Sequence, residues 1–199
     1  MFPALCLSQA VVPRFEMPRG TSEFGFWAGY SPRSFTFQGT AHDRKLFLLN
    51  LFYARALMTH RFVTIKYTLE VVPVALQNQP TEFFVFKDKP VIVNPAKTIY
   101  GAGVNPVGFQ GNFGCHRIQP FLNWTGGLLY FAEQVPIVGS SQFNFTFSVG
   151  AGLQFFLRPN RTLSVGLRYH HLSNAETAPL NPGIDSKVFY AGISVLRRK

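Results

Sequence analysis

His171 and Ser173 are the residues of this chain best suited to chemistry. A serine hydroxyl is a weak nucleophile until an adjacent base takes its proton, and an imidazole is the usual base. On an extended strand, residues two apart share a face with Cα atoms roughly 6.5 to 7 Å apart, a gap these side chains bridge by leaning together. A carboxylate must then hold the imidazole's other nitrogen and stabilise the imidazolium. Asp185 is the candidate, because it follows Asn181-Pro182-Gly183, whose turn chemistry brings the chain back beside His171. His170 points to the opposite face of the same strand and is not placed to serve Ser173. A His-x-Ser spacing alone is better explained by a rim histidine followed by a loop-initiating serine, so the surrounding elements carry the argument further.

Residues 142–157 alternate: Phe143, Phe145, Phe147, Val149, Ala151, Leu153, Phe155 and Leu157 are apolar, with Gln142, Asn144, Thr146, Ser148, Gly150, Gly152, Gln154 and Phe156 between them. Period-two alternation over so many residues predicts a strand. Its length matters, since ordinary strands run about 5 to 6 residues whereas tilted membrane-barrel strands need about 9 to 11. Residues 62–72 repeat the pattern, with Val63, Ile65, Tyr67, Leu69 and Val71 on one face and Thr64, Lys66, Thr68 and Glu70 on the other. Further strands are predicted over 23–31, 46–57, 107–114, 120–131, 162–173 and 187–197. Together they make an all-β fold, an eight-stranded antiparallel transmembrane β-barrel, closed so that no strand edge is left unpaired in lipid. In it Leu163, Val165, Leu167, Tyr169, His171 and Ser173 face lipid. Lys66, Glu70, Arg168 and His170 face the lumen, where charges persist only when paired. Residues 77–102 are read as a long loop with a short strand at Phe83 to Phe86, and 32–44 and 174–185 as the other long connections. A soluble lipocalin-like barrel would alternate too, with its apolar face inward. A face of Gln, Asn, Thr, Ser and Gly packs more readily as a polar interior.

Composition bounds the rest. The 199 residues suit one domain, read as a barrel over 21–199 preceded by an N-terminal segment, 1–20. Phe contributes 22 residues and charged residues 14 %, yet no run approaches the roughly 18 to 20 apolar residues of a spanning helix. The net charge of +10 implies contact with an anionic partner. The charge does not choose among nucleic acid, phospholipid and phosphorylated sugar, but the basic residues are scattered singly and fit no nucleic-acid-binding motif, which disfavours nucleic acid and keeps a phosphorylated lipid open. Cys6 and Cys115 are too far apart for a metal knuckle or a disulfide framework. Residues 1–10 lack a basic n-region and read as the tail of a signal peptide, missing or truncated here. Leu196-Arg197-Arg198-Lys199 lacks the terminal aromatic common in outer-membrane barrels.

The run His171-Leu172-Ser173-Asn174-Ala175, followed by Asn181-Pro182-Gly183-Ile184-Asp185, resembles the signature of the lipid A 3-O-deacylase (PagL-like) family. The resemblance extends over about 101–196, including Gly126-Gly127 and Phe143-Asn144-Phe145. It implies an outer-membrane esterase that hydrolyses the acyl ester at position 3 of lipid A in lipopolysaccharide, with no metal or organic cofactor. The catalytic residues would lie on the barrel's outer face: Ser173 the nucleophile, His171 the general base, Asp185 the acid, and Asn174 a donor to the oxyanion. Rim cations such as Arg158, Arg161 and Lys187 would hold substrate phosphates. The chain departs from the pattern at Asp185, where the best-known members carry Glu, and at Glu176, where a small residue is expected. A non-catalytic small outer-membrane barrel, structural or adhesive, is the rival reading.

Overall fold

A computed structural model describes residues 15–86 and 89–198, so the reading of 1–10 and Cys6 lie outside the described residues. The described elements are strands: β1 Ser22–Ser31, β2 Ser34–Phe35, β3 Lys45–His60, β4 Val63–Gln79, β5 Glu82–Phe86, β6 Lys89–Asn94, β7 Lys97–Phe113, β8 Ile118–Phe131, β9 Phe143–Arg158, β10 Arg161–Ser173 and β11 Ile184–Arg197. Eight of them, β1, β3, β4, β7, β8, β9, β10 and β11, pair antiparallel in that order, and β11 pairs back onto β1 to close the barrel. The short β2 prolongs the β1 edge along the start of β11. Among the described residues no helix is long and apolar enough to cross a membrane.

The faces are sorted as a membrane barrel requires. On β9, Phe145, Phe147 and Val149 are exposed while Asn144, Thr146 and Ser148 are buried. Phe24, Phe26, Leu51, Leu122, Phe189 and Ile193 extend the exposed apolar surface around the circumference. An apolar surface this extensive is tenable against hydrocarbon and not against water. The lipocalin-like alternative, with its apolar face inward, is thereby excluded.

The lumen is filled by paired polar groups. Lys66 Nζ donates to Glu23 Oε2 at 2.7 Å, and Gln154 Nε2 and Ser194 Oγ donate to Glu23 Oε1 at 2.7 and 2.6 Å. One layer above, Arg168 pairs with Glu70 at 2.8 Å, Asn105 and Trp27 also donate to Glu70, and the guanidinium lies over the Trp27 and Tyr190 rings. His170 Nδ1 meets Ser148 Oγ at 2.8 Å. These are the lumenal contacts predicted for Lys66, Glu70, Arg168 and His170. They leave cavities of only about 30 and 10 Å³ in the lumen.

Residues 77–102 are only partly a loop, and the short strand expected at Phe83 to Phe86 is present as β5. β4 runs to Gln79, β5 and β6 form a separate hairpin, and β7 starts at Lys97, ten residues before the predicted 107. The loop reading rests on the segment's Pro and charge content, and the predicted strands stop at Val72 and start at 107, beside Pro73 and Pro106. Both sit at register shifts, between Val72 and Ala75 and between Val104 and Val107, where a missing N–H costs no ladder bond. The outward Tyr100 and Tyr67 hydroxyls donate to the Pro73 and Pro106 carbonyls.

The two ends of the barrel differ. One carries the short turns 61–62, 114–117 and 159–160, with the starts of β1 and ends of β11. There residues 15–21 pack under the barrel: Met17 is buried with Phe156 and Leu196, and Gln119 Nε2 donates to the Phe15 carbonyl. The long connections 32–44, 80–96, 132–142 and 174–183 gather at the other end, which in outer-membrane barrels faces outside the cell. β10 ends and β11 begins there.

Candidate active site

β10 and β11 are hydrogen-bonded neighbours in which His171 lies directly opposite Asp185. Both side chains are on the outward face, and His171 Nδ1 is 2.7 Å from Asp185 Oδ1. The Asp185 side chain is fully covered while His171 retains 17 % exposure. Such a bond fixes the imidazole tautomer, leaving Nε2 as the basic nitrogen. Ser173, two residues along the same face, is half-buried and sits opposite Phe145 of β9. Its hydroxyl makes no hydrogen bond among the described residues, so Ser173 shares a face with His171 without being bonded to it. Catalytic hydrogen bonds commonly tighten only once substrate is bound.

Asp185 is held by a cradle that sequence reasoning missed. Its Oδ2 accepts three successive backbone N–H groups, from Phe37, Gln38 and Gly39, at 2.8, 2.7 and 2.7 Å. The Tyr169 hydroxyl donates to Oδ1 at 2.7 Å. Converging backbone N–H groups form an anion-binding nest, so a carboxylate here is stabilised although no water reaches it. The nest is anchored to the site's other loop, since Thr40 N donates to Pro182 O at 2.5 Å and Ala41 N to Gly183 O at 3.2 Å. Ser34 Oγ donates to Ala41 O at 2.8 Å and closes the 34–41 turn. Residues 37 and 185 are 148 positions apart, and no local periodicity connects them. Gly39 was the available signal, a glycine in a loop where backbone must approach backbone.

Asn174 sits at the head of the 174–183 connection and is 1 % exposed. Its Nδ2 donates to Leu180 O at 2.8 Å, and its backbone N–H donates to Asn181 Oδ1 at 3.0 Å. Two of the donors that could reach an oxyanion are thus engaged in holding the loop. Ala175 and Glu176 follow with φ of 50° and 62°, and Gly183 at φ 61° completes the return to β11. The left-handed φ at Glu176 explains why a small residue is expected there, because it is a region that glycine enters freely. The N–H groups of Ala175 and Glu176 carry no hydrogen bond among the described residues.

Of the cations expected at the rim, Arg158 and Arg161 flank the 159–160 turn at the opposite end of the barrel, away from this site. Lys187 is on the outward face two residues beyond Asp185, with its ammonium 4.7 Å from the Phe35 ring centre and no acidic partner among the described residues. Among the described residues no three His, Cys, Asp or Glu side chains gather as a metal site.

Comparison with known proteins accords with this geometry. No curated protein matches the chain in sequence. Among solved structures it resembles the outer-membrane enzyme PagL, with a TM-score of 0.57 and 20 % identity over 86 % of this chain and 97 % of that one. It also resembles the outer-membrane protein OprG of Pseudomonas aeruginosa, with a TM-score of 0.56 and 13 % identity over 94 % of this chain and 100 % of the other. Neisserial surface protein A follows at a TM-score of 0.52 and 16 % identity, covering 88 % of this chain and 96 % of its own. At these identities the likeness is one of fold. The family model for lipid A 3-O-deacylase (PagL) matches residues 73–194, a span that holds His171, Ser173, Asn174 and Asp185, and the chain belongs to that family of outer-membrane lipid A deacylases.

Proposed function

We propose that this deacylase hydrolyses the 3-O ester-linked acyl chain of lipid A through a Ser173-His171-Asp185 triad on its lipid-facing surface. The observation that carries the reading is the 2.7 Å bond between His171 Nδ1 and the enclosed Asp185 Oδ1, on the same outward face as Ser173. Ser173 Oγ attacks the ester carbonyl as His171 Nε2 takes its proton. The tetrahedral intermediate collapses, and the sugar oxygen leaves with the proton returned by His171. Water, activated by His171, then attacks the acyl-serine ester, and the fatty acid departs. Asp185 stays ionised and steadies the imidazolium.

The oxyanion is assigned to Asn174, through the amide hydrogen not given to Leu180, together with the adjoining N–H groups of Ala175 and Glu176. Loss of one such donor typically slows an acyl transfer by about 100- to 1000-fold. The site's position supports a membrane lipid as substrate, because a molecule reaching Ser173 comes from the outer leaflet beside Phe145 and Phe147 and not through the lumen. Lys187 is the cation placed to meet a phosphate of the saccharide.

Mass spectrometry of lipid A incubated with the refolded protein, wild type beside Ser173→Ala, tests the reading. Loss of one 3-O acyl chain with the wild type alone is the expected result. Unchanged lipid A with both, from barrels of normal heat-modifiable migration, would support a non-catalytic barrel.

A further inference from the structure

We infer that Tyr169 is a positioning residue for this reaction, and that the cradle it completes with residues 37–39 admits an aspartate at position 185 and no longer acid. The inference rests on the deacylase reading for its kinetic consequences, but its geometry stands apart from any substrate.

Asp185 receives five donors: three N–H groups on Oδ2, and Tyr169 Oη and His171 Nδ1 on Oδ1. An ionised carboxylate offers about four lone-pair sites, so this one is saturated. The two oxygens have separate tasks. A carboxylate is planar and rigid, so the hold on Oδ2 already restrains its turn about Cβ–Cγ, and the Tyr169 hydroxyl adds a second anchor on Oδ1, the oxygen that faces the imidazole.

Tyr169 reaches this point by geometry its ring alone would not require. Its register partner on β11 is Lys187, yet its hydroxyl crosses to Asp185, the residue opposite His171. The ring is set by edge contacts with Phe35 and Phe37, at centroid distances of 6.0 and 5.8 Å, so the first residue of the nest and one just before it also aim the tyrosine. A lipid-facing aromatic would need none of these contacts. The cradle is also closed to growth. An added methylene would drive the carboxylate about 1.5 Å into N–H groups already at 2.7 to 2.8 Å, on a loop tied down at Thr40 and Ala41.

The test compares Tyr169→Phe, Tyr169→Leu and Asp185→Glu with the wild type in detergent micelles. Two readouts are used: kcat and KM on lipid A, and the proton resonance of the His171 Nδ1–H···Asp185 bond in histidine-labelled protein, assigned with His171→Gln. Tyr169→Phe keeps the ring contacts and loses one bond to a charged group, so kcat is expected to fall about 10- to 100-fold with KM little changed. The resonance should move downfield as Oδ1 loses its competing donor. Asp185→Glu is expected to lower kcat at least about 10-fold and to shift or broaden the same signal. A Tyr169→Phe protein with wild-type kcat and resonance, beside a defective Tyr169→Leu, would make Tyr169 a packing residue only and overturn the proposal. So would an Asp185→Glu protein as active as the wild type. Absence of hydrolysis by the wild type would sink the deacylase reading, while the resonance would still judge the cradle.

Discussion

Gly39 and Gly183 lie backbone against backbone beside the His171 ring. A Cβ on Gly39 would stand 2.7 Å from the Gly183 carbonyl carbon, and one on Gly183 would stand 3.2 Å from both Gly39 Cα and His171 Cε1. This contact joins the 36–44 loop to the end of the 174–183 connection, and the same Gly39 supplies an N–H to Asp185 Oδ2 at 2.7 Å. Only a residue without a side chain lets the nest come this close to the strand that carries the acid. Gly39→Ala should therefore displace the nest and weaken the hold on Asp185. Its kcat on lipid A is expected to fall by about 10-fold or more, while migration on heat-modifiable gels stays that of the wild type. Normal turnover by the Gly39→Ala protein would show that the nest is dispensable.

What the sequence disclosed and what it concealed divide along range. The alternation on β9, and the placement of His171 and Ser173 outward with His170 inward, follow from a period of two and need no tertiary knowledge. Asp185 was legible because only the 174–183 connection separates β10 from β11, and Asn181-Pro182-Gly183 marks the chain's return. The proline-bearing halves of β4 and β7 were misread because a bulge removes the need for the proline's missing N–H, and a bulge is a property of the pairing. The cradle was nearly invisible for a stronger reason. Phe37, Gln38 and Gly39 act through backbone N–H groups, so apart from the glycine their side-chain types carry no trace of the role.

The lumenal charges give a prediction about stability. Lys66 and Glu23 form an ion pair at 2.7 Å with each side chain 2 % exposed, so removing one partner strands the other without solvent. Lys66→Met is expected to destabilise the barrel by roughly 3 to 5 kcal/mol, read as a lower urea midpoint of unfolding in lipid vesicles. The double variant Lys66→Met/Glu23→Gln should recover much of that loss, because neither uncompensated charge remains. Additive losses in the double variant would show that the pair contributes little as a pair.

Lys187 separates substrate recognition from chemistry. Its ammonium rests near Phe35 and has no acidic partner among the described residues, on a lipid-facing strand where an unpaired cation is costly unless it serves a function. Lys187→Gln should raise KM for bisphosphorylated lipid A about 5-fold, in line with roughly 1 kcal/mol for a cation near an anionic surface, and leave kcat close to normal. The effect should shrink on enzymatically dephosphorylated lipid A. An equal change on both lipids would assign Lys187 to packing on Phe35.

Glu176 tests the turn that follows the nucleophile. Its φ of 62° is a conformation that disfavours L residues by roughly 1 to 2 kcal/mol, and its carboxylate sits three residues from Ser173, beside the site proposed to take a phosphorylated lipid. Both effects oppose the arrangement the reaction needs. Glycine relieves the backbone and removes the like charge, so Glu176→Gly should raise kcat/KM on lipid A a few-fold, chiefly through KM at low ionic strength, where charge repulsion is least screened. Glu176→Gln, which removes only the charge, should give the salt-dependent part of the gain and not the rest. If instead Glu176→Gly lowers kcat/KM, the acid is holding the loop by a contact that the turn requires, and the strained φ is kept for that contact.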